Sequence, residues 1–173
     1  MRDEATRDDP FARLAHTHRR IEERLDDLVA ATETLLARPN DLDAFEAVER
    51  VLGFFDRAGR RHHDDEERSL FPRLPDEPDV VALVRVLREE HLAHDGALRA
   101  LDANVRAIGN GAPSTEQARG LADGARHLRT LYLAHIDREE RELFPRVKSA
   151  LSAHDLAEMA REFDDRRPRP HHG

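Results

Sequence analysis

The stretch that decides the fold is HHDDEERSLFPR at residues 62–73, because it returns as HIDREERELFPR at residues 135–146. Nine of the twelve positions are identical, and a shift of 73 residues superposes the two segments. The same shift carries His18 onto His91, so the similarity extends well beyond the two segments. The sequence therefore predicts a protein made of two copies of one unit.

The apolar residues between and around these segments recur at alternating spacings of three and four, which is typical of helices that bury one face. Four such stretches are separated by breaks at residues 38–41, 72–78 and 109–113, each of which contains proline. Proline cannot continue a helix interior, so each break ends a helix. Four long helices with short connections predict an all-α fold: an antiparallel up-down four-helix bundle over residues 10–150, built from two repeated helix pairs.

The two ends of the chain lie outside this pattern. Residues 1–9 are polar and are expected to be disordered. Residues 151–167 can form a short C-terminal helix with its apolar residues on one side, and we expect this helix to pack on the bundle. Residues 168–173 are interpreted as a tail.

The composition favours helix and excludes several functions. Only eight glycines, one tyrosine and no tryptophan occur in 173 residues, which suits a single all-α domain. The absence of cysteine excludes disulfides and thiolate ligands. The net charge of -8, with both signs interspersed, provides no basic stripe for nucleic acid. The acidic start and the lack of a long apolar run predict no membrane partner and a cytoplasmic location.

The polar residues that could carry chemistry follow the duplication. The second and fourth helices each carry a histidine with a glutamate four residues later, so imidazole and carboxylate lie on one helix face. The first and third helices each carry a histidine within an apolar seam. In a bundle these side chains would meet in one layer: His18, His62, Glu66, His91, His135 and Glu139. Nitrogen and oxygen donors of this kind suit iron or manganese better than a closed zinc site, and we predict two iron ions.

A structural interpretation of the same residues has to be weighed against this one. Charged runs such as DDEE are usually solvated, and a single inward histidine is usually a satisfied core residue. The duplication argues against this interpretation for the whole set, because the same pair recurs at an identical offset. The repeated Leu-Phe-Pro triplets at residues 70–72 and 143–145 are interpreted as packing and helix-end devices. His63 is expected to contribute neither to metal binding nor to stability.

Taken together, a histidine on the first helix, HxxxEExxLFP on the second and fourth, and EHxxH on the third resemble the hemerythrin-like, HHE cation-binding domain family over residues 10–150. The resemblance implies an oxo- or hydroxo-bridged non-haem di-iron centre held by the six side chains above, with manganese or zinc less favoured. Glu67 and Glu140 are alternative carboxylate ligands, since oxygen-carrying members of the family place the last carboxylate five residues after its histidine.

The chain also departs from the oxygen-carrying members. They have a further histidine where this sequence has Leu87, whereas this sequence has His94 at the position that corresponds to Ile21 in the first repeat. His94 could be an additional ligand, a hydrogen-bond donor behind the ligands, or an acid/base group. Tyr132, one turn before His135, could reach the metals with its hydroxyl or could find a hydrogen-bond partner as buried tyrosines usually do.

The resemblance and the ligand set lead to an expected function. Each iron would have two histidines, oxygens of the bridging carboxylates and a solvent-derived bridge, which leaves an octahedral position open on both metals. We expect the centre to bind O2, peroxide or nitric oxide, and to decompose hydrogen peroxide. The alternative is metal or oxygen sensing, or iron storage, without turnover. The expected partner is therefore a small diatomic or peroxide ligand, bound by a monomer or a weak homodimer.

Overall fold

The computed structural model describes residues 9–109 and 111–167, and within these residues the chain is helical and has no strand. We name the helices α1 (Pro10–Ala37), α2 (residues 42–73), α3 (Pro78–Ile108), α4 (residues 115–147) and α5 (Ala153–Asp165). Helix α1 packs against α2 and α4, and α3 packs against α4. The predicted all-α helical bundle with a short C-terminal helix is confirmed. None of the described helices has both the length and the apolar content that crossing a membrane requires.

Four of the five helices begin at a residue whose side chain accepts a hydrogen bond from a backbone amide of the first turn, which satisfies donors that the helix itself leaves unpaired. These N-cap residues are Asp9, Asp41, Ser114 and Ser152. Asp9 belongs to the segment 1–9 that the sequence predicts to be disordered. The rest of that segment, and the predicted tail at residues 168–173, lie outside the described residues.

Helices α2 and α4 change their winding at the repeated segments. In α2, Leu42–Phe54 and Arg60–Asp65 are α-helical, Phe55–Gly59 and Glu66–Leu70 form π turns, and Phe71–Arg73 forms a 3-10 turn. In α4, the α-helix Thr115–Arg138 is followed by a π turn, Glu139–Leu143, and a last α-helical turn, Phe144–Val147. The winding of α2 and α4 was not expected from the spacing of their apolar residues.

The repeated prolines explain where two of these π turns lie. Pro72 and Pro145 have no amide hydrogen, so neither can donate the α-helical bond to the carbonyl four residues earlier. The preceding amides instead bond five residues back: Phe71 to the carbonyl of Glu66, and Phe144 to that of Glu139. Each of these π turns thus begins at a repeated glutamate. Single π turns are rare in proteins, and those that do occur are often found at functional sites.

The buried apolar residues form two clusters, and the buried histidines and glutamates lie between them. The first cluster fills one half of the bundle and includes Leu25, Leu28, Leu35, Phe55, Leu101 and Leu128. The second lies where α5 closes the other end, and includes Phe11, Leu14, Leu70, Phe71, Leu143, Phe144, Met159 and Phe163. Burying each side chain of this size contributes about 1.5–3 kcal/mol. The repeated Leu-Phe pairs therefore stabilise the closed end, as their interpretation as packing devices requires.

A buried ion-pair network fixes α5 to α2. Asp65 is 2% exposed. It accepts hydrogen bonds from Arg166 at 2.8 Å and from Arg167 at 3.1 Å. Arg73 of α2 donates to Glu162 of α5 at 2.6 Å. The DDEE run is thus not simply a solvated face, because its second aspartate is a buried anchor for the C-terminal segment.

Candidate metal centre

Six polar side chains from the four long helices are buried together between the two apolar clusters. They are His18 from α1, His62 and Glu66 from α2, His91 from α3, and His135 and Glu139 from α4, and none is more than 5% exposed. Their donor atoms form two overlapping groups, within each of which all atoms lie within 4.8 Å of one another: His18, His62, Glu66 and Glu139, and then Glu66, His91 and His135. The structure brings together every residue that the sequence places in this layer.

The two carboxylates face both halves of the centre. Glu66 has one oxygen 3.0 Å from Nε2 of His62, and its other oxygen lies 3.0 Å from Nε2 of His91. Glu139 has an oxygen 3.2 Å from Nε2 of His18 and 3.7 Å from Nε2 of His135. Each carboxylate therefore lies between histidines of different helices, which is the arrangement needed to bridge two cations.

The inward-facing atoms are buried and lack hydrogen bonds. Within the described residues, no correctly oriented partner exists for Nε2 of the four histidines or for either carboxylate oxygen of Glu66 and Glu139, although several of these atoms lie close together. Leaving a buried polar atom without a partner costs about 1–3 kcal/mol, so native proteins seldom retain such a set. Cations coordinated by these atoms would remove that cost.

The outward-facing nitrogens of three of these histidines are held by carboxylates, each of which also contacts an arginine. Nδ1 of His18 lies 2.8 Å from Glu140, Nδ1 of His91 lies 2.9 Å from Glu67, and Nδ1 of His135 lies 3.0 Å from Glu90. The arginines that contact these carboxylates are Arg19, Arg88 and Arg138, respectively. A carboxylate at Nδ1 fixes the tautomer that leaves Nε2 free for a metal and raises the basicity of the imidazole.

This arrangement separates the adjacent glutamates that the sequence left as alternatives. Glu66 and Glu139 face the centre, whereas Glu67 and Glu140 lie behind the imidazoles and are partly exposed. Glu90 was missed by the sequence analysis, although it directly precedes His91 in the EHxxH motif. Its partner is on another helix, so no spacing within the motif could have identified it. Nδ1 of His62 has no hydrogen-bond partner among the described residues.

The carboxylates control the protonation of the imidazoles in the metal-free protein. Burial opposes the charged form of His91, but Glu66 and Glu67 outweigh it and raise the pKa of His91 to about 10. The pKa of His18 is also raised well above its ordinary value, because Glu139 and Glu140 outweigh burial. A metal must therefore displace protons from these two nitrogens when it binds.

A second group of rings lies beside His91 and His135. The ring of His63 stacks on that of His91 with centroids 4.0 Å apart, and Nε2 of His63 lies 3.5 Å from Nδ1 of His94. Burial and electrostatic repulsion from the neighbouring imidazoles of His135 and His91 lower the pKa of His94 to about 3. The sequence predicts no part for His63, but the structure packs its ring directly against a candidate ligand.

The sequence leaves more than one role open for His94 and for Tyr132. His94 is not in either group of converging donor atoms, and its ring stacks on that of Tyr132 with centroids 3.8 Å apart. The hydroxyl of Tyr132 is buried and has no hydrogen-bond partner in the part of the chain that the structure describes. Burial raises the pKa of Tyr132, so its hydroxyl keeps its proton and remains a donor. The expected hydrogen-bond partner is therefore absent within that part of the chain.

The fold and the site together define a class of protein, a four-helix bundle that presents buried histidines and glutamates to cations. Residues 9–147 match the family described as the hemerythrin HHE cation binding domain, and the chain belongs to this family. The resemblance drawn from the sequence motifs is confirmed. An uncharacterized protein of Haemophilus influenzae (strain ATCC 51907 / DSM 11121 / KW20 / Rd) is 27% identical over 167 residues, which cover 94% of this chain and 92% of that protein.

Proposed function

We propose that the chain is a non-haem di-iron protein of hemerythrin type that binds O2, peroxide or nitric oxide at a four-histidine, two-carboxylate centre, and that it decomposes hydrogen peroxide. The observation that carries the proposal is the set of buried inward-facing nitrogen and oxygen atoms without hydrogen-bond partners among the described residues. These atoms form two groups that share Glu66, which supports a pair of ions rather than a single one.

The chemistry of the donors supports iron. Imidazole nitrogens and carboxylate oxygens without thiolate suit iron and manganese, whereas structural zinc usually takes four ligands in a closed tetrahedron. Here six side chains converge, which is more than such a tetrahedron uses. These donors therefore disfavour zinc, and membership of the hemerythrin family favours iron over manganese.

The protein itself contributes orientation and shielding. Glu67, Glu90 and Glu140 hold three imidazoles with Nε2 directed inward, and the apolar clusters on both sides keep bulk water away from the centre. A bound iron pair would supply the open coordination positions and the change of oxidation state on which binding and reduction of these ligands depend.

The absence of a third histidine on one side favours reaction over simple carriage. Leu87 stands where oxygen-carrying members have a further histidine, and it is fully buried in the apolar cluster at the closed end. Each half of the centre thus has two histidines, and the two halves share Glu66. We infer that both metals have a free position, a condition that suits redox chemistry with peroxide.

Metal content per chain, measured together with an absorption spectrum, tests the proposal. Two irons per chain with oxo-to-iron charge-transfer bands are expected, and His62→Ala should lose them. A preparation with fewer than two irons per chain and without these charge-transfer bands would reject the di-iron centre.

The enzymatic part needs a separate assay. The iron-loaded protein should consume hydrogen peroxide faster than an equal concentration of free iron, and His62→Ala should not. Turnover no faster than free iron would reject peroxide decomposition while leaving ligand binding in place. Iron uptake far above two ions per chain would instead indicate storage, and a ligand-dependent change of oligomeric state would indicate sensing.

A further inference from the structure

The two halves of the centre differ in the side chains beside them. One half is flanked by three polar residues, which we call the polar layer: His63, His94 and Tyr132. The 73-residue shift gives three equivalents without polar side-chain atoms, which we call the apolar layer: Ile136, Ile21 and Gly59, all buried. The duplicated histidines and glutamates therefore have unlike surroundings, and the two halves are not equally suited to a further molecule.

The polar layer is in direct contact with the imidazoles of one half. His63 stacks on His91 at a centroid distance of 4.0 Å. His94 meets the ring of His135 edge-on at 4.9 Å, and Tyr132 in turn stacks on His94 at 3.8 Å. A molecule bound beside His91 and His135 would thus lie close to these three side chains.

The hydroxyl of Tyr132 marks this half as a place for an additional ligand. Tyr132 is fully buried, and its hydroxyl lacks a hydrogen-bond partner among the described residues. A buried tyrosine normally pairs its hydroxyl, because an unpaired donor inside a protein is costly. The equivalent residue of the other repeat, Gly59, has no side chain that could act in this way. An incoming acceptor atom would therefore find its donor only on this side.

A surface groove ends at the polar layer, beside this buried hydroxyl. It has a volume of about 840 Å³, runs between α2 and α3, and has Gly59, His63 and Tyr132 among its lining residues. A Cβ atom on Gly59 would lie 3.8 Å from the Tyr132 oxygen, so Gly59 is the groove residue that lies directly against the hydroxyl. None of the six candidate ligands lines this groove, which approaches the centre through His63 and Tyr132. A groove of similar volume between α1 and α2, about 810 Å³, is lined by none of the polar layer.

The charges along the groove suit a small ligand of low charge. Acidic and basic side chains are nearly balanced there: Glu49, Asp56, Asp95 and Asp102 against Arg60, Arg99 and Arg106. A balanced lining neither concentrates nor repels small neutral molecules or monovalent anions, whereas a groove of one sign would select by charge.

We propose that small oxygen- or nitrogen-containing ligands reach the centre through this groove and bind in the half flanked by the polar layer, where the hydroxyl of Tyr132 donates a hydrogen bond to them. The inference rests on the proposed function, in which the centre holds iron and binds such ligands. Tyr132 is then a positioning residue for the ligand and not a metal ligand. Gly59 controls access.

Azide binding to the iron-loaded, oxidised protein tests this inference, with absorption titration giving the dissociation constant and stopped-flow mixing giving the association rate constant. Tyr132→Phe removes one hydrogen bond and should weaken azide binding roughly tenfold while keeping two irons per chain. Because this hydroxyl has no hydrogen-bond partner among the described residues, the variant should fold normally. Gly59→Ala should slow azide association, since its new methyl group lies beside the hydroxyl and 3.2 Å from Phe55.

Two matched variants serve as controls. Gly96→Ala introduces the same methyl group on α3 with nothing within 4 Å, so azide should bind at the wild-type rate. Ile21→Val removes one methyl group from the apolar layer and should leave the azide dissociation constant unchanged.

The outcomes separate the inference from the proposed function. Iron-loaded wild type that binds no azide overturns both. If the wild type binds azide but Tyr132→Phe binds it with equal affinity, the inference alone is overturned. The same holds if Ile21→Val binds azide as weakly as Tyr132→Phe does. Loss of iron in Tyr132→Phe also overturns it, because the tyrosine would then hold the metal.

Discussion

Removing the metal ions should destabilise the bundle, and His135→Ala should remove most of this dependence on metal. His135 is fully buried, its Nε2 faces the centre without a hydrogen-bond partner among the described residues, and Glu90 holds its Nδ1 at 3.0 Å. Alanine is the residue most compatible with a helix interior, so the substitution removes a nitrogen donor without unwinding α4.

The size of the effect follows from linkage. A ligand at 100 times its dissociation constant stabilises the folded state by about 2.7 kcal/mol, so two ions contribute about 5 kcal/mol. For a chain of 173 residues, 1 kcal/mol corresponds to about 2–4 °C in Tm. Chelation should therefore lower the Tm of the wild type by roughly 10–20 °C, and that of His135→Ala by half of this or less.

The assay is thermal unfolding followed by circular dichroism, with and without a chelator, on samples of known metal content. His127→Ala is the matched control, because His127 is an exposed histidine on the same helix. It should keep two ions and the full chelator-induced decrease in Tm. The reasoning is refuted if the wild-type Tm does not respond to chelation, or if His135→Ala retains both ions and the full response.

Three further predictions concern the residues around the centre. In urea titrations, the unfolding free energy of the metal-free protein should fall by about 2–4 kcal/mol between pH 7 and pH 10. The reason is the raised pKa of His91, about 10 in the folded protein: the stability that it gives is complete below pH 6.5 and is lost as the pH rises from there through the folded pKa of about 10. An unfolding free energy that does not change with pH would contradict this prediction. Glu139→Ala should reduce the number of ions per chain, whereas Glu140→Ala should keep two ions and weaken their affinity about 10- to 100-fold in chelator competition; the reverse result would exchange their roles. Asp65→Ala should lower the unfolding free energy by about 1–2 kcal/mol; the loss is no larger because the two arginines that it frees can still reach water. Asp102→Ala is the control: it breaks an exposed ion pair and should change the unfolding free energy by less than about 0.5 kcal/mol.

Helix positions were predictable because they depend on local patterns. The three-and-four spacing of apolar residues, the prolines of the breaks and the capping box at Ser114 and Gln117 all act within a few residues of chain. The same is true of the candidate ligands, because a histidine and a glutamate four residues apart share a helix face whatever the helix packs against. The duplication then supplied the number of helices and the pairing of the two halves.

The winding of α2 and α4 at the repeated glutamates was not predictable in this way. Apolar spacing assumes one helical period throughout, and the two glutamate-led π turns break that period where Pro72 and Pro145 remove a donor. The turns displace the residues that follow, and only the folded chain shows where those residues come to lie.

The partners of the histidines depend on how the helices are rotated against one another. Glu90 supports His135 on a neighbouring helix, 45 residues away in the chain, and Asp65 meets Arg166 of the C-terminal segment 101 residues away. Such contacts have no signature in the sequence, because each depends on the packing of two elements and not on the spacing within one.

What the sequence determined by itself is the bundle, its duplication and the residues that can donate to a metal. What only the tertiary structure decided is which glutamate of each adjacent pair faces the centre, and which side chains flank each half. The physical reason is that a helix fixes the direction of its own side chains, whereas the contacts between helices follow from their mutual rotation and from the winding that Pro72 and Pro145 impose.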